Sequence, residues 1–455
     1  MSTQPALPRE LGLRDLTLFA ITCVTSARWI PIAAHAGPGS VMLWLLAAVF
    51  FMVPLAVAVA ALVAKYPGAG GLYLWTRRDF GAWPGFLCFW IYWISIACLF
   101  PTATLLYVRV GFSMLGSWFT RLGDNRFYLL AATVALIWLA LGSNLIGLKI
   151  GKWTENMGAL ATCAVGVLLV AAAWMVSMRR GSATSLHILP KWNWGTVNFW
   201  AAIAYATSGM ECPGMMAGEI RDPERTMRRA GWIASGFATA FYMSATVAFL
   251  VVLPPGSISE LNGFAEVGDA AGRLLDARWL SALLALLVLV NGAGLVGGIG
   301  TATSRLPFAA GVDRLLPGAF SRVHAKWATP YVSILALGLV ATLLLVVCQL
   351  GDTLRAAYQE LLSLMVITGF VPYLYIFGSA WKAGKRLSAA SGSLITLLAL
   401  FCSVVPSGEI TKVWLFEGKL AAGTVAVVAS GWLIYRRREH RSLPLRTPPE
   451  DSHVP

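Results

Sequence analysis

The sequence predicts an all-α integral membrane protein, and three observations lead to that fold class. Of its 455 residues, 58% are hydrophobic and only 12% are charged, which is too little polar surface to cover a soluble chain of this length. Several stretches contain no Asp, Glu, Lys or Arg over about 20 residues, the length of helix that crosses a bilayer core. The 19 Trp and 44 Gly are typical of membrane helix bundles, where Trp anchors interfaces and Gly allows close packing.

Twelve membrane-spanning helices are predicted in order along the chain. Uncharged segments of sufficient length are residues 41–64, 81–108, 156–178, 232–253, 279–304 and 331–350. Weaker or interrupted segments are residues 16–36, 127–145, 197–217, 360–381, 387–406 and 420–435. An even number of spans places both termini on the same side of the membrane.

The charges outside these spans predict the orientation. Most Lys and Arg lie in the tails and in the loops on the same side as the N-terminus, and such a bias marks the cytoplasmic side. We therefore expect a multi-pass protein of the inner (cell) membrane with both termini in the cytoplasm. The net charge of +14 is then a topology signal, and no nucleic-acid partner is needed to explain it.

A single membrane domain is expected at residues 15–435. It is flanked by a short cytoplasmic tail at 1–14, whose prolines argue against a signal peptide, and by a Pro- and charge-rich tail at 436–455 that is predicted to be disordered. All seven Cys fall in predicted spans, which favours packing over a disulfide framework or a metal site. No metal and no cofactor are predicted.

Two predicted spans are interrupted near mid-depth. Residues 25–31 in the first span and 204–214 in the sixth each combine small hydroxyl residues, a helix-breaking Pro and one ionisable side chain, Arg28 or Glu211. Broken backbone at this depth must be buried in protein or line a cavity, because lipid cannot satisfy its polar groups. The alternative is that each Pro simply bends a continuous helix.

The positions of the two breaks predict an inverted repeat. Each break opens a set of five spans, residues 15–178 and 196–381, and the two sets begin on opposite sides of the membrane, with helices 11 and 12 following at 387–435. Matched discontinuous helices 1 and 6 in a five-plus-five inverted repeat indicate the midplane binding site of a secondary transporter.

Four motifs in sequence order carry a family resemblance. They are Ala36-Gly37-Pro38, the run Pro67-Gly68-Ala69-Gly70-Gly71-Leu72-Tyr73, the run from Tyr205 through Gly218-Glu219-Ile220-Arg221-Asp222-Pro223, and Thr303-Ser304-Arg305 with the Pro and His that follow it. With these motifs the chain resembles the amino acid–polyamine–organocation (APC) superfamily, nearest its glutamate/GABA antiporter-like amino acid permeases. The resemblance implies a leucine-transporter-like fold and amino acid transport by alternating access, in which helices 1, 2, 6 and 7 rock against helices 3, 4, 8 and 9.

The predicted substrate site lies at the two breaks. Unpaired backbone N–H groups of Ser26 and Ala27, at the start of a half-helix, would bind a substrate carboxylate. Family members usually have a run of small residues there, whereas this chain has Arg28, whose guanidinium can bind a carboxylate in two-pronged fashion. The alternatives for Arg28 are an ion pair with Glu211 or a position at the membrane edge. The substrate-binding set is Ser26, Ala27, Arg28, Tyr205, Ser208 and Gly209.

Three further roles are predicted around this site. The resemblance implies that Tyr205 is an aromatic gate over the substrate, and Trp29 flanks the other break as a second gate residue. Glu211 either carries a proton or acts as a structural strut for the break. Some proton-coupled relatives of this type have a Lys in span 5 where this chain aligns Thr162, so coupling through such a Lys is not expected. The Gly-rich run 291–300 predicts close helix packing, with sodium binding near Thr301 as the alternative.

The sequence therefore predicts a secondary active transporter for an amino acid. A cation at mid-depth repels cationic substrates, so a zwitterionic or acidic amino acid is favoured. A proton or a counter-substrate is a possible partner, and a monomer or homodimer is expected. The alternatives are a polyamine or cationic amino acid transporter, or a non-transporting membrane sensor or enzyme. The chain has no HExxH, GxSxG or Walker A motif, which argues against an enzyme.

Overall fold

A computed structural model describes residues 9–114, 121–122, 125–190, 197–260, 262–349, 354–404 and 413–438. The predicted tails at 1–8 and 439–455 lie outside the described residues. Within the described ranges the regular structure is helical, apart from one parallel backbone bridge between Leu11 and Ile220. The all-α prediction is confirmed.

The first half of the chain contains the following helices in its described part: α1 Leu13–Val24, α2 Trp29–His35, α3 Ser40–Ala47, α4 Val53–Lys65, α5 Gly71–Phe80, α6 Ala82–Met114, α7 Arg126–Leu145 and α8 Leu148–Arg180. A π-helical segment, Ala48–Met52, joins α3 to α4 to give the second predicted span. The third, fourth and fifth spans are α6, α7 and α8.

The second half contains these helices in its described part: α9 Val197–Ala206, α10 Glu211–Met215, α11 Pro223–Val252, α12 Gly263–Leu275, α13 Trp279–Thr303, α14 Arg305–Val312, α15 Tyr331–Gln349, α16 Leu354–Lys382, α17 Arg386–Val404 and α18 Val413–Arg438. Spans 7 to 12 correspond to α11, α13, α15, α16, α17 and α18. The helices α12 and α14 lie in the connections between spans.

Both predicted breaks are present. The first span divides into α1 and α2, whose axes are bent by 44°. The sixth span divides into α9 and α10, and between them Gly209 has a φ of +109°, a conformation that interrupts a right-handed helix. Helices 1 and 6 are therefore discontinuous, as the sequence indicated, and the reading of each Pro as a simple bend is wrong.

The apolar helices account for most of the predicted spans. Nine helices of the described part are long and apolar enough to cross a membrane, or ten if the bent pair of α1 and α2 counts as one span. A shorter apolar helix lies at Tyr331–Val346. The full count of twelve spans stays a prediction.

The packing of the helices follows the inverted repeat. The most extensive contact is between α8 and α13, and the next is between α6 and α16. The first contact joins spans 5 and 8, and the second joins spans 3 and 10. In a five-plus-five repeat, span 3 corresponds to span 8 and span 5 to span 10, so the two contacts are equivalent positions of the repeat. At the first contact a Cβ added to Gly158 would lie 2.7 Å from the Gly294 Cα, so the predicted close packing of the Gly-rich run in α13 is confirmed.

The outer surface of the bundle is apolar. Side chains such as Leu139, Val167 and Leu339 point outward with 74%, 71% and 62% of their surface exposed. An exposed apolar belt of this extent fits contact with lipid acyl chains and would make a soluble protein aggregate.

Candidate functional site

The two helix breaks touch each other at the centre of the bundle. A Cβ added to Gly209 would lie 2.5 Å from the carbonyl oxygen of Cys23, which is near the end of α1. This contact and the positive φ of Gly209 both require glycine. The sixth helix can therefore approach the first only because this position has no side chain.

A small closed cavity lies between the breaks. Its volume is about 30 Å³, room for only about two water molecules. The predicted residues Ser26, Arg28, Trp29, Tyr205, Ser208, Gly209 and Glu211 all line it, together with Cys23 and Cys212. No amino acid fits in this volume, so the structure shows the site in a closed, contracted state.

Arg28 is a buried cation that has no counter-charge among the residues that the structure describes. Its side chain is fully buried, one terminal nitrogen donates to the Thr102 hydroxyl at 3.0 Å, and the other contacts the Met365 sulfur at 3.4 Å. The guanidinium lies over the ring of Trp29, 4.1 Å from its centroid. Its Nε has no hydrogen-bond acceptor in the described part of the chain. A guanidinium has five N–H donors, so this environment leaves it free to bind an anion.

The two alternative roles for Arg28 are wrong. In the structure Arg28 and Glu211 do not form an ion pair, although both line the cavity. The zero exposure of Arg28 also excludes a position at the membrane edge. The guanidinium lies between α6 and α16, which supply its two partners.

The backbone of the first break differs from the prediction. The N–H of Ser26 donates to the Tyr242 hydroxyl at 2.9 Å, and the N–H of Ala27 donates to the Asn291 Oδ1 at 3.3 Å. The Tyr242 hydroxyl in turn donates to the Val24 carbonyl at 2.8 Å. Buried amides are almost always paired, and here side chains from α11 and α13 pair them. In this closed state Ser26 and Ala27 therefore present no free N–H groups.

A chain of neutral hydrogen bonds extends from the first break to α8. The Ser26 and Tyr107 hydroxyls lie 2.7 Å apart, and Tyr107 donates to Asn291 Oδ1 at 3.3 Å. The Asn291 amide donates to the Thr162 hydroxyl at 2.6 Å. Thr162, at the aligned Lys position, is thus linked to the break through groups that carry no charge.

Glu211 is held by three donors. One carboxylate oxygen accepts from the Tyr92 and Tyr373 hydroxyls at 2.6 and 2.8 Å, and the other accepts from the Gly209 N–H at 3.0 Å. The side chain is 1% exposed. Glu211 therefore satisfies the Gly209 N–H of its own break and fastens that break to α6 and α16, as expected of a strut.

The two predicted gate residues meet over the cavity. The rings of Trp29 and Tyr205 pack edge to face at 6.1 Å, and Tyr205 packs likewise against Phe370 at 5.4 Å. The Tyr205 hydroxyl lies 3.3 Å from Ser95 Oγ. Trp29 begins α2 and Tyr205 is the penultimate residue of α9, so both rings belong to the half-helices on one side of the breaks.

The opposite end of the bundle is closed by ion pairs. We call this end the basic face. Lys65 and Lys382 are the last residues of α4 and α16, and Arg305 is the first residue of α14. Arg77 in α5 and Arg228 in α11 complete the set that defines it. There Arg305 and Glu219 form a buried two-pronged ion pair with both distances 2.9 Å. Glu219 belongs to the motif that ends at Pro223, and Arg305 belongs to the motif Thr303-Ser304-Arg305, so this ion pair connects two motifs of the family resemblance.

Further contacts reinforce the same closure. Arg77 forms an ion pair with Asp313, which also accepts from the Tyr73 hydroxyl at 2.7 Å. The backbone bridge from Leu11 to the segment after α10 lies beside the Arg305 pair, with Leu11 N–H donating to the Glu219 carbonyl at 3.0 Å. The tail predicted at 1–14 is therefore fastened to the bundle at its described end.

Glu155 is a buried acid that the sequence reasoning missed. It lies in α8 just before the uncharged stretch used to define span 5, and it accepts from the Thr301 hydroxyl at 2.8 Å. Its backbone carbonyl accepts from the Thr22 hydroxyl at 2.9 Å. Glu155 therefore links α8 to α1 and α13, and the Thr301 hydroxyl is hydrogen-bonded to its carboxyl group.

Other site residues were also missed, and each had a weak signal. Tyr92, Tyr242 and Tyr373 lie well inside predicted spans and Tyr107 lies near the end of one, and a buried hydroxyl in such a segment needs a partner. Asn291 is an amide inside an uncharged span, and such residues usually bond across helices. Spacing alone did not show which of these polar groups face the breaks.

The fold and the site together define a multi-pass membrane transporter with two discontinuous helices around a closed central site. A family model described as amino acid permease matches residues 11–416. The chain belongs to this family, which lies within the APC superfamily, and it is a transporter and not an enzyme.

Similar proteins agree with this assignment. An uncharacterised transporter of Legionella pneumophila is 25% identical over 458 residues, covering 95% of this chain and 98% of its own. The glutamate/serine transporter AimA of Bacillus subtilis is 24% identical and covers 71% of this chain and 63% of its own. The serine/threonine exchanger SteT of Bacillus subtilis is 25% identical, with 74% and 77% covered.

A solved structure shares the fold. The crystal structure of MhsT in complex with L-phenylalanine superimposes with a TM-score of 0.63 at 14% identity, covering 94% of this chain and all of the other. MhsT has the leucine-transporter fold, so the predicted fold class is confirmed.

Proposed function

We propose that this protein is a secondary active transporter that moves a zwitterionic or acidic amino acid across the inner membrane by alternating access. Arg28 binds the substrate carboxylate, with Ser26, Ala27, Ser208 and Gly209 around it. Trp29 and Tyr205 close the site on one side, and the basic face closes it on the other, cytoplasmic side.

The observation that carries the proposal is the environment of Arg28. A buried charge without a counter-charge is costly, and within the described ranges this one contacts a hydroxyl, a thioether sulfur and an aromatic ring but no acid. A carboxylate that entered the cavity would accept hydrogen bonds from the guanidinium and neutralise it. A cationic amino acid side chain or a polyamine would add a second positive charge and be repelled.

The similar proteins support the same substrate class. AimA is described as a glutamate/serine transporter and SteT as a serine/threonine exchanger, and their substrates are acidic or zwitterionic amino acids.

The polar contacts of the two breaks suit alternating access. Arg28 and Glu211 belong to helices 1 and 6, and their partners Thr102, Tyr92 and Tyr373 belong to helices 3 and 10. When helices 1 and 6 separate from helices 3 and 10, these hydrogen bonds can be replaced by hydrogen bonds to water. Apolar contacts have no such replacement. The site has to widen in any case, because its present volume of about 30 Å³ excludes an amino acid.

Uptake of radiolabelled amino acids into proteoliposomes tests the proposal. We expect glutamate or a neutral amino acid such as serine to be transported, and lysine and putrescine not to be. Trapped unlabelled substrate and an imposed pH gradient, applied separately, distinguish exchange from proton symport. Transport of lysine or putrescine in preference to the others would contradict the role of Arg28.

Substitutions at Arg28 test the carboxylate contact directly. Replacing Arg28 by Ala should weaken substrate binding more than about tenfold, because hydrogen bonds to charged groups contribute about 1.5–3 kcal/mol. Arg28→Lys keeps the charge but loses the two-pronged geometry, so its affinity should be intermediate. Trp29→Phe keeps an aromatic ring beside the cation and serves as the matched control. Equal, near-normal affinity in Arg28→Ala and Trp29→Phe would remove Arg28 from the site.

A further inference from the structure

A large groove opens on the lipid-facing side of the bundle, away from the central cavity. Its volume is about 560 Å³. One wall is the exposed face of α4, the other is the start of α11, and the turn between α16 and α17 closes one end. No residue of the candidate substrate site lines this groove.

The apolar part of the groove has the length of one bilayer leaflet. It runs along α4 from Val53 to Ala64, a helical rise of about 16 Å. Half of a hydrocarbon core is about 15 Å thick. Its floor is made of small side chains, Ala56, Ala60 and Ala61 among them, which leave room for an acyl chain to lie against the helix.

The polar end of the groove is strongly basic. Four cationic side chains line it, against the single acid Glu224: Lys65, Arg228, Lys382 and Lys385. Lys65 pairs with Asp79 at 3.3 Å, whereas Arg228 and Lys385 form no side-chain ion pair or hydrogen bond with the described residues. Trp232, one turn after Arg228 on α11, is 57% exposed at the same level, as expected for an aromatic residue at the headgroup region.

An unsatisfied hydroxyl lies deeper in the groove. Ser235 lines it and is 2% exposed, yet its Oγ has no hydrogen-bond partner in the described structure. Buried polar groups are rarely left without a partner. A ligand with an ester or glycerol oxygen below its charged group would supply one.

We propose that this groove is a binding site for one anionic phospholipid of the leaflet at the basic face. Its phosphate lies among Arg228, Lys385 and Lys382, its glycerol backbone is near Ser235, and one acyl chain follows the alanine floor of α4. Basic pockets between membrane helices suit anionic headgroups, and a neutral lipid would leave the excess positive charge uncompensated.

Lipid retention measured by native mass spectrometry tests the site. The full-length protein is purified in detergent, delipidated, and titrated with either phosphatidylglycerol or phosphatidylethanolamine. We expect the wild type to retain one phosphatidylglycerol. The double variant Arg228→Gln/Lys385→Gln should bind it more weakly by roughly fivefold for each charge removed.

A matched control removes charge elsewhere. The double variant Arg322→Gln/Lys326→Gln neutralises two exposed cations outside the groove and should retain the lipid like the wild type. All of these substitutions are at exposed positions, and thermal melting confirms that each variant is folded. A third variant, Ala60→Trp, fills the alanine floor and should weaken phosphatidylglycerol binding without changing any charge.

Several outcomes would overturn the proposal. Equal retention of phosphatidylglycerol and phosphatidylethanolamine, or equal losses in the two double variants, would show that the groove does not select an anionic lipid. Displacement of the bound lipid by glycerol 3-phosphate, together with normal binding in Ala60→Trp, would identify a site for a soluble phosphate and not for a phospholipid. Substrate transport is not part of this readout, so the result is independent of the proposed substrate.

Discussion

The two broken helices satisfy their backbones in opposite ways. In the first break, the N–H groups of Ser26 and Ala27 depend on side chains of other helices, Tyr242 and Asn291. In the sixth break, the Gly209 N–H is satisfied by Glu211, only two residues further along the same chain. The first break is therefore held by its neighbours, and the second largely holds itself.

The ionisable side chains of the two breaks also differ in how completely their hydrogen-bonding groups are satisfied. Glu211 accepts hydrogen bonds from three donors, whereas no described residue supplies a carboxylate partner to Arg28 or an acceptor to its Nε. A satisfied acid contributes structure, and an unsatisfied cation is available to a ligand. Under the proposed function, the first helix would provide the binding group, and the sixth would provide the frame that holds it.

The largest effect is expected from Gly209→Ala, which forces the two breaks apart. The positive φ alone costs about 1–3 kcal/mol for a residue with a side chain, and the new Cβ would collide with the Cys23 carbonyl. We expect loss of transport and a clearly lower melting temperature.

Gly236→Ala, on α11, is the matched control for this variant. A Cβ at Gly236 meets no atom within 4 Å, and Ala is favoured over Gly in a helix. Its transport and melting temperature should be unchanged or slightly improved. Normal transport by Gly209→Ala would show that the breaks do not need their close contact.

Glu211→Gln tests whether this residue is a strut or a proton carrier. Gln has only one side-chain oxygen, so its NH2 group would have to face either the Gly209 N–H or the two tyrosine hydroxyls. At least one donor would then lack its acceptor, at a cost of about 1–3 kcal/mol. For a strut we expect a lower melting temperature and impaired exchange in proteoliposomes. An unchanged melting temperature and intact exchange, with loss only of uptake driven by a pH gradient, would identify Glu211 as the proton carrier instead.

A smaller effect is expected from Tyr242→Phe, which removes the hydroxyl that satisfies the first break. The Ser26 N–H and the Val24 carbonyl would lose their shared partner, at about 1–2 kcal/mol, and the melting temperature should fall by a few degrees. Tyr375→Phe is the control, since the Tyr375 hydroxyl makes no hydrogen bond with the described residues. Identical melting temperatures in the two variants would show that the first break does not rely on Tyr242.

The fold could be predicted from the sequence because its signals are local. Uncharged stretches of membrane length, a Gly-rich run and two matched polar interruptions each depend on neighbouring residues, and they gave the spans, the close packing and helices 1 and 6. The break residues could be located for the same reason. Arg28 and Glu211 can be recognised in the sequence because ionisable residues are rare inside membrane-spanning segments.

The partners of the site residues could not be predicted in the same way. Tyr242 lies 216 residues from Ser26, and Asn291 lies 264 residues from Ala27, so only the packed bundle shows that they meet. The expectation of free amides at Ser26 and Ala27 was wrong for this closed state because it ignored such distant donors and acceptors. The supposed pairing of Arg28 with Glu211 was wrong because nearby tyrosines already satisfy the acid.

The lone guanidinium has a consequence for the transport cycle. If the substrate carboxylate is the counter-ion that Arg28 lacks among the described residues, the unloaded carrier has to reorient with an unpaired guanidinium at its centre, whereas in the loaded carrier that guanidinium is paired with a carboxylate. The return of the empty carrier should then be the slow step, and one-for-one swapping of substrate should outpace net flow in either direction. Efflux into substrate-free medium, compared with efflux into medium that contains substrate, measures that ratio, and equal rates would show that the bare charge imposes no such penalty.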